Sequence, residues 1–149
     1  MEKMIKLKDI LLERFDKQSI VDSVYPYIAK NLGRARRGIP KVEFHTNIYV
    51  RISGIEGMEG EANPHAEYDW ENNKIYLYTP KMTNEEEIIR GLLHEYTHAT
   101  QDPKKMKKYR ELGYKKNPYE IAASKAEKNW RKYVKYIKKN ESKDLNECI

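Results

Sequence analysis

Cysteine is nearly absent from the sequence, and long apolar runs are missing. The single cysteine, Cys148, excludes an intramolecular disulfide and suits a reducing compartment. No apolar run approaches the roughly 20 residues needed to cross a bilayer. Charged residues interrupt residues 1–12, so this stretch lacks the apolar core of a signal peptide. We therefore expect a cytoplasmic protein without a membrane span.

Internal repeats and low-complexity segments are absent as well. The chain has 149 residues, of which 39% are hydrophobic and 35% are charged, a composition typical of a single globular domain with a charged surface. We expect one domain over residues 1–149, with N-terminal helices in 1–38, a catalytic core in 39–139 and a flexible tail in 140–149.

Basic residues exceed acidic ones, which gives a formal net charge of +6. Local concentrations occur at residues 34–37, 104–108 and 135–139. Such a balance permits binding to nucleic acid, acidic lipid or acidic protein without indicating it. The simpler interpretation is solvated helix faces and loops.

Hydrophobic periodicity predicts an α+β chain with a small antiparallel or mixed sheet. Two N-terminal helices are expected over 2–17 and 19–32, with Ser19 as a cap and Pro26 as a kink. Alternating residues then predict strands at 41–44 and 48–52, followed by a glycine-rich loop over 53–61. Strands at 66–70 and 74–78 flank Asn72-Asn73 and predict a hairpin.

Helices dominate the second half. Thr83 and Glu86 form a predicted capping box for a helix that runs to about Gln101. Asp102-Pro103 predicts the start of a short lysine-rich helix, and Asn117-Pro118 that of a long final helix to about residue 139. The final helix is expected to turn apolar residues inward, namely Ile121, Ala122, Trp130, Tyr133, Val134 and Ile137.

The motif His94-Glu95-Tyr96-Thr97-His98 lies in the first of these helices. Histidines four residues apart lie on one helix face, so both imidazoles can reach one metal ion. The glutamate between them can take a proton from a water molecule. This H-E-x-x-H pattern is the signature of zinc hydrolases, although an amphipathic helix can carry two histidines by chance. Gly91, one turn before His94, predicts close approach of another backbone.

A zinc site with an open position needs a third protein ligand. No histidine follows His98, which excludes the metzincin pattern, and the other histidines, His45 and His65, lie upstream. A downstream ligand must be a carboxylate or Cys148. Glu120, one turn into the final helix, is the best candidate, although Asn117 and Glu120 also form a capping box.

Three further residues have alternative interpretations near this site. Glu127 is a reserve ligand, but an ion pair with Arg131 is the preferred interpretation. Asp102 can orient a ligand histidine through its second ring nitrogen or can simply cap the next helix. Ser124 can orient a ligand in the same way or face solvent.

The two motifs together resemble those of gluzincin peptidases. The run from His94 to Asp102 is similar to the active helix of thermolysin-type enzymes, and Glu120-Ile-Ala-Ala123 resembles the Glu-x-x-Ala motif of the CAAX-prenyl-protease type. The small size resembles that of the soluble minigluzincins. The likeness covers roughly residues 62–135, and many relatives have aspartate where this chain has Ser124.

The resemblance implies a zincin-like fold in which the active helix packs on the sheet and a C-terminal helix supplies the third ligand. It implies one Zn²⁺ per chain bound by His94, His98 and Glu120, with Glu95 as the general base of a metalloendopeptidase acting on peptides or proteins. Residues 63–66 are expected near substrate. An oxyanion donor is expected among four tyrosines, namely Tyr109, Tyr114, Tyr119 and Tyr133. The tail, including Cys148, is a weaker candidate for blocking the cleft.

Other functions remain open at this point. A regulatory protease that cleaves repressors is one alternative. A DNA-associated protease of the SprT-like kind suits the charge, but those enzymes use a third histidine. Outside enzymes, the chain can be a basic nucleic-acid-binding or scaffold protein with a structural or vestigial zinc site. A fourth protein ligand such as His45 or His65 would favour that function.

Overall fold

The computed structural model describes residues 2–46 and 65–137, with side chains from residue 17 onward except that of Tyr114. The predicted strand at 48–52, the loop at 53–61, Asn63-Pro64 and the tail with Cys148 lie outside the described residues. The helices are α1 (Glu2–Leu32), α2 (Glu85–Thr100), α3 (Pro103–Arg110) and α4 (Pro118–Glu127), and the strands are β1 (Lys41–His45), β2 (Ala66–Asp69) and β3 (Lys74–Tyr78).

The three strands form one mixed sheet in the order β1-β3-β2. β1 runs parallel to β3, with Val42 opposite Ile75, and β2 runs antiparallel to β3, with Tyr68 opposite Ile75. The predicted hairpin is confirmed, and Asn73 in its turn has a φ of 53°, a conformation that asparagine tolerates. The α+β class with a small mixed sheet is therefore correct.

The prediction of two N-terminal helices is wrong, because residues 2–32 form one helix. Pro26 lies inside α1. Ser19, which was predicted to cap a second helix, also lies inside α1, and its carbonyl accepts a hydrogen bond from Ser23 Oγ. A proline costs a helix one backbone hydrogen bond. Residues on both sides of Pro26 enter the same core, including Val24 and Ile28, and this shared packing offsets that cost. Gly33 ends the helix with a φ of 95°, as expected.

Two other helix predictions are also corrected. The N-cap of α2 is Asn84, not Thr83, and its side chain accepts a hydrogen bond from the Glu87 backbone N–H. α4 ends at Glu127, a 3₁₀ turn follows over Trp130–Tyr133, and residues 134–137 are helical again, so the predicted final helix is interrupted. The chain tightens around Asn129, a residue of low helix propensity.

The side chains of the final helical region face the core only partly as predicted. Tyr133 and Ile137 are buried as predicted, and Trp130 and Val134 are half-buried. Ile121 and Ala122 are exposed, contrary to prediction, and Ala123 is buried in their place. The face of α4 that points inward therefore starts at Glu120 and continues through Ala123.

The core lies between α2, the sheet and α1. Gly91 is in contact with the sheet, where an added Cβ would lie 3.2 Å from Leu77 Cδ2 and 3.5 Å from Ala66 Cβ. The predicted close approach is therefore present, but it is made by side chains of β2 and β3 rather than by backbone. This contact sets α2 close to the sheet. Across the described ranges, none of the helices combines the length and apolarity that a membrane span requires.

Candidate metal centre

Helix α2 presents His94 and His98 one turn apart on the same face. Their ring centroids are 5.0 Å apart. The Asn84 cap stabilises the start of the helix. Three glutamates in the first turn add to this, because their negative charges interact favourably with the positive end of the helix dipole. The Tyr96 hydroxyl, between the two histidines, donates to the Gly33 carbonyl and fixes the opposite face to the end of α1.

Glu120 reaches the two histidines from α4. The chain reverses direction through α3 and the turn at Gly113, and Asn117 caps α4 by accepting from the Tyr119 N–H. Glu120 Oε2 lies 3.2 Å from His94 Nε2, and Glu120 Oε1 lies 3.0 Å from His98 Nε2. The structure thus brings together the three residues selected from the sequence.

The arrangement suits a zinc ion in its donor types and spacing. Each of the three residues offers one ligand atom, and these three atoms all lie within 4.8 Å of one another. Two atoms bound to a tetrahedral zinc ion at about 2.0–2.1 Å lie about 3.3 Å apart, close to the two distances above. Two imidazoles and one carboxylate are the ligand set of several catalytic zinc sites.

The outer ring nitrogens of both histidines also have partners. His94 Nδ1 lies 3.6 Å from Glu127 Oε1, and His98 Nδ1 lies 2.7 Å from Gln101 Oε1. Such contacts orient a ligand imidazole and leave its other nitrogen free for a metal. Glu127 therefore approaches His94 without joining the three-residue cluster. Its predicted ion pair with Arg131 is not formed in the described part of the chain, where the Arg131 guanidinium lies over the Trp130 ring.

Charges within the cluster shift the pKa values of its three residues. Burial by itself lowers the pKa of His94, but the charge of Glu95 and hydrogen bonds that the imidazole donates to Glu120 and Glu127 outweigh it and raise the pKa to about 11. Burial also opposes ionisation of His98, yet Glu120 and Glu95 raise its pKa. Although burial disfavours the charged form of Glu120, both histidines hold its pKa well below the usual range. The three carboxylates thus create a pocket that favours positive charge.

Glu95 is 7% exposed and lies on the buried face of α2. Its charge affects His94, His98 and, from β3, Tyr78. The Tyr78 hydroxyl donates to Glu67 Oε2 at 2.8 Å. Burial raises the pKa of Tyr78, and the bond to Glu67 raises it further. Glu95 is therefore close enough to act electrostatically on both the histidines and the buried Tyr78 of the sheet.

Several predicted residues have other roles. Of the two interpretations of Asp102, the structure shows the cap: its side chain accepts from the Lys104 N–H, and Gln101 is the partner of His98 Nδ1. His65 Nδ1 contacts Glu87, and His45 contacts Glu43. Neither histidine belongs to a metal-binding cluster in the residues that the structure describes.

The tyrosines proposed as oxyanion donors are engaged elsewhere where they are described. The Tyr133 hydroxyl accepts from Asn31 Nδ2, and the Tyr119 hydroxyl accepts from the Asp102 N–H. The Tyr109 ring packs edge-on against that of Tyr119. The identity of an oxyanion donor therefore stays a prediction.

Two site features were missed from the sequence. Gln101 was assigned only as the end of a helix, although its position three residues after His98 places it within reach of that imidazole. Glu67 is buried in β2, and no sequence signal marked it. The chain matches no protein-family model, no curated protein and no solved structure.

Proposed function

We propose that this chain is a zinc-dependent metallopeptidase of the gluzincin type, with a zincin-like fold. One observation carries the proposal: His94 and His98 of α2 meet Glu120 of α4, with Glu95 buried beside them. The mixed sheet against α2 and the third ligand on a downstream helix support the same conclusion. The proposed substrate is a peptide or protein.

His94, His98 and Glu120 would hold one Zn²⁺ per chain. A zinc ion supplies Lewis-acid activation of a water molecule and of the substrate carbonyl. Glu95 acts as general base, takes the proton of the attacking water and passes it to the leaving amine. Its burial beside both histidines keeps this proton within the site.

The described residues favour an open site over a structural one. Structural zinc sites have four protein ligands, whereas catalytic sites have three and a free position. The cluster within residues 17–46 and 65–137 contains three residues. This count supports an enzyme rather than a scaffold with a structural zinc ion.

The first test is metal content after growth with zinc and gel filtration. Wild type should contain one zinc ion per chain, and Glu120→Ala should lose most of it. Glu111→Ala, which removes an exposed glutamate, is the matched control and should retain zinc. Metal retained by Glu120→Ala would remove Glu120 from the site, and a metal-free wild type would contradict the proposal.

The second test separates metal binding from chemistry. Glu95→Gln should keep zinc but lower peptidase activity on an unstructured protein substrate by at least about a hundredfold, because the general base is lost. Glu111→Gln should leave activity unchanged. Activity that persists in Glu95→Gln rules out Glu95 as the base, and zinc binding without any activity in wild type rules out the peptidase.

A further inference from the structure

Gln101 lies at the junction of the two helices that carry the zinc-binding residues. It is the C-cap of α2 and is buried at 8% exposure. Its Oε1 lies 2.7 Å from His98 Nδ1, and its Nε2 lies 3.0 Å from the Tyr119 carbonyl oxygen. Tyr119 immediately precedes Glu120, so one amide contacts both sides of the site.

The hydrogen-bond partners fix the orientation of this amide. A carbonyl oxygen only accepts hydrogen bonds, so the amide atom facing Tyr119 must be the NH₂ group. Oε1 therefore faces His98, and it can accept only if His98 Nδ1 carries a proton. In the neutral imidazole this leaves the Nε2 lone pair free, and Nε2 is the atom 3.0 Å from Glu120.

Tyr119 is held a second time by the same corner of the chain. Its hydroxyl accepts from the Asp102 N–H at 3.3 Å. The backbone carbonyl and the side chain of Tyr119 thus both bond to the two residues that follow α2. This double attachment fixes the first turn of α4 relative to His98, and with it the position of Glu120.

We propose that Gln101 is a positioning residue of the zinc site, which selects the Nδ1–H tautomer of His98 and ties α4 to α2 at Tyr119. The inference rests on the proposed zinc-dependent function. Gln101 touches no reacting atom. Its effect on the metal is transmitted through the imidazole of His98 and through the backbone next to Glu120.

The main experiment compares Gln101→Met with Gln18→Met. Methionine has nearly the same length as glutamine but cannot replace either hydrogen bond. Gln18 is exposed on α1 and bonds only to Asp22 among the contacts described for it, so it is the matched control. Chelator competition should show zinc affinity reduced about 10–100-fold in Gln101→Met and within twofold of wild type in Gln18→Met. Equal affinity in all three proteins would overturn the inference and leave the proposed function intact.

The ¹⁵N NMR spectrum of the His98 ring gives a readout that a purely structural role would not change. In wild type the Nδ1 proton should exchange slowly, and Gln101→Met should abolish this protection. Gln101→Glu retains an acceptor for His98 but loses the donor to Tyr119. It should keep the Nδ1–H signal and bind zinc more tightly than Gln101→Met.

Measuring metal-free as well as zinc-loaded protein separates the two possible failures. If wild type binds no zinc, the proposed function fails, and positioning of a zinc ligand fails with it. If wild type binds zinc but the Nδ1 signal is unchanged in Gln101→Met, only the inference about Gln101 fails. Should Gln101→Met not fold, loss of the Nδ1–H signal in folded Gln101→Glu would equally overturn it.

Discussion

At the scale of single residues, each imidazole of the proposed zinc site has a side-chain partner near both ring nitrogens. The inner nitrogens face Glu120, and the outer ones face Glu127 and Gln101. A histidine held at both nitrogens loses little rotational freedom when a metal replaces the inner partner's hydrogen bond. The arrangement is therefore prepared for metal binding by contacts that the protein makes itself.

Glu127 provides a prediction at this scale. Its carboxylate contributes to the raised pKa of His94 but is not among the groups that raise the pKa of His98. Glu127→Gln should therefore lower the pKa of His94 in the metal-free protein and leave that of His98 nearly unchanged. An NMR titration of both rings measures this, with His98 as the internal control.

The same substitution should weaken zinc binding by up to about tenfold, because the outer partner of His94 loses its charge. Partial exposure of Glu127 keeps the effect modest. A pKa of His94 that does not move, or that moves together with that of His98, would contradict the assignment of Glu127 to His94.

At the scale of elements, α2 is the helix from which the site is built. Its start is fixed by the Asn84 side chain, and its buried face packs on β2 and β3 at Gly91. Thr83 and Glu86 matched a capping box in sequence, but the cap lies one residue later. Both Thr83 and Asn84 are residue types that cap helices, so local sequence did not distinguish between them.

The two candidate caps give a direct test. Asn84→Ala should lower the free energy of unfolding by about 1 kcal/mol, because the Glu87 N–H loses its acceptor. Thr83→Ala, at the neighbouring exposed position, should change it by less than about 0.5 kcal/mol. Urea denaturation of the metal-free proteins measures both. A larger effect at Thr83 than at Asn84 would show that the capping box forms after all.

At the scale of the whole molecule, α1 belongs to the same core as α2, the helix of the proposed zinc site. Val24 and Ile28 are fully buried in one cluster with Leu92 and Tyr96 of α2. The segment after α1 is also tied down, because Arg36 donates to the Thr100 carbonyl and Arg37 to those of Trp70 and Glu71. Part of the basic run at 34–37 therefore has a structural role.

This packing predicts that α1 contributes to the stability of the whole core. Ile28→Ala should lower the free energy of unfolding by about 2–4 kcal/mol through lost burial and a residual cavity. Ile39→Ala removes the same atoms from a residue that is 65% exposed and should change it by less than about 0.5 kcal/mol. Thermal or urea unfolding compares the pair. Equal effects would mean that α1 does not share the core.

Much of this protein can be predicted from residues close together in sequence. The spacing of His94 and His98 places both on one helix face whatever the tertiary structure. The hairpin around Asn73 and the caps at Asp102 and Asn117 are also set by local chemistry. Glu120 was reached by elimination, since no histidine follows His98.

The remaining features depend on contacts between distant residues. Packing of residues on both sides of Pro26 into one core keeps that part of α1 continuous. The rotation of α4 against α2 decides that Ala123, rather than Ile121 or Ala122, is buried. The roles of Gln101 and Glu127 depend on how α4 lies against α2. Single-sequence patterns report the period of a helix but not its rotation or its partner. The H-E-x-x-H motif is therefore a property of local sequence, whereas the groups that orient its histidines are a property of tertiary structure.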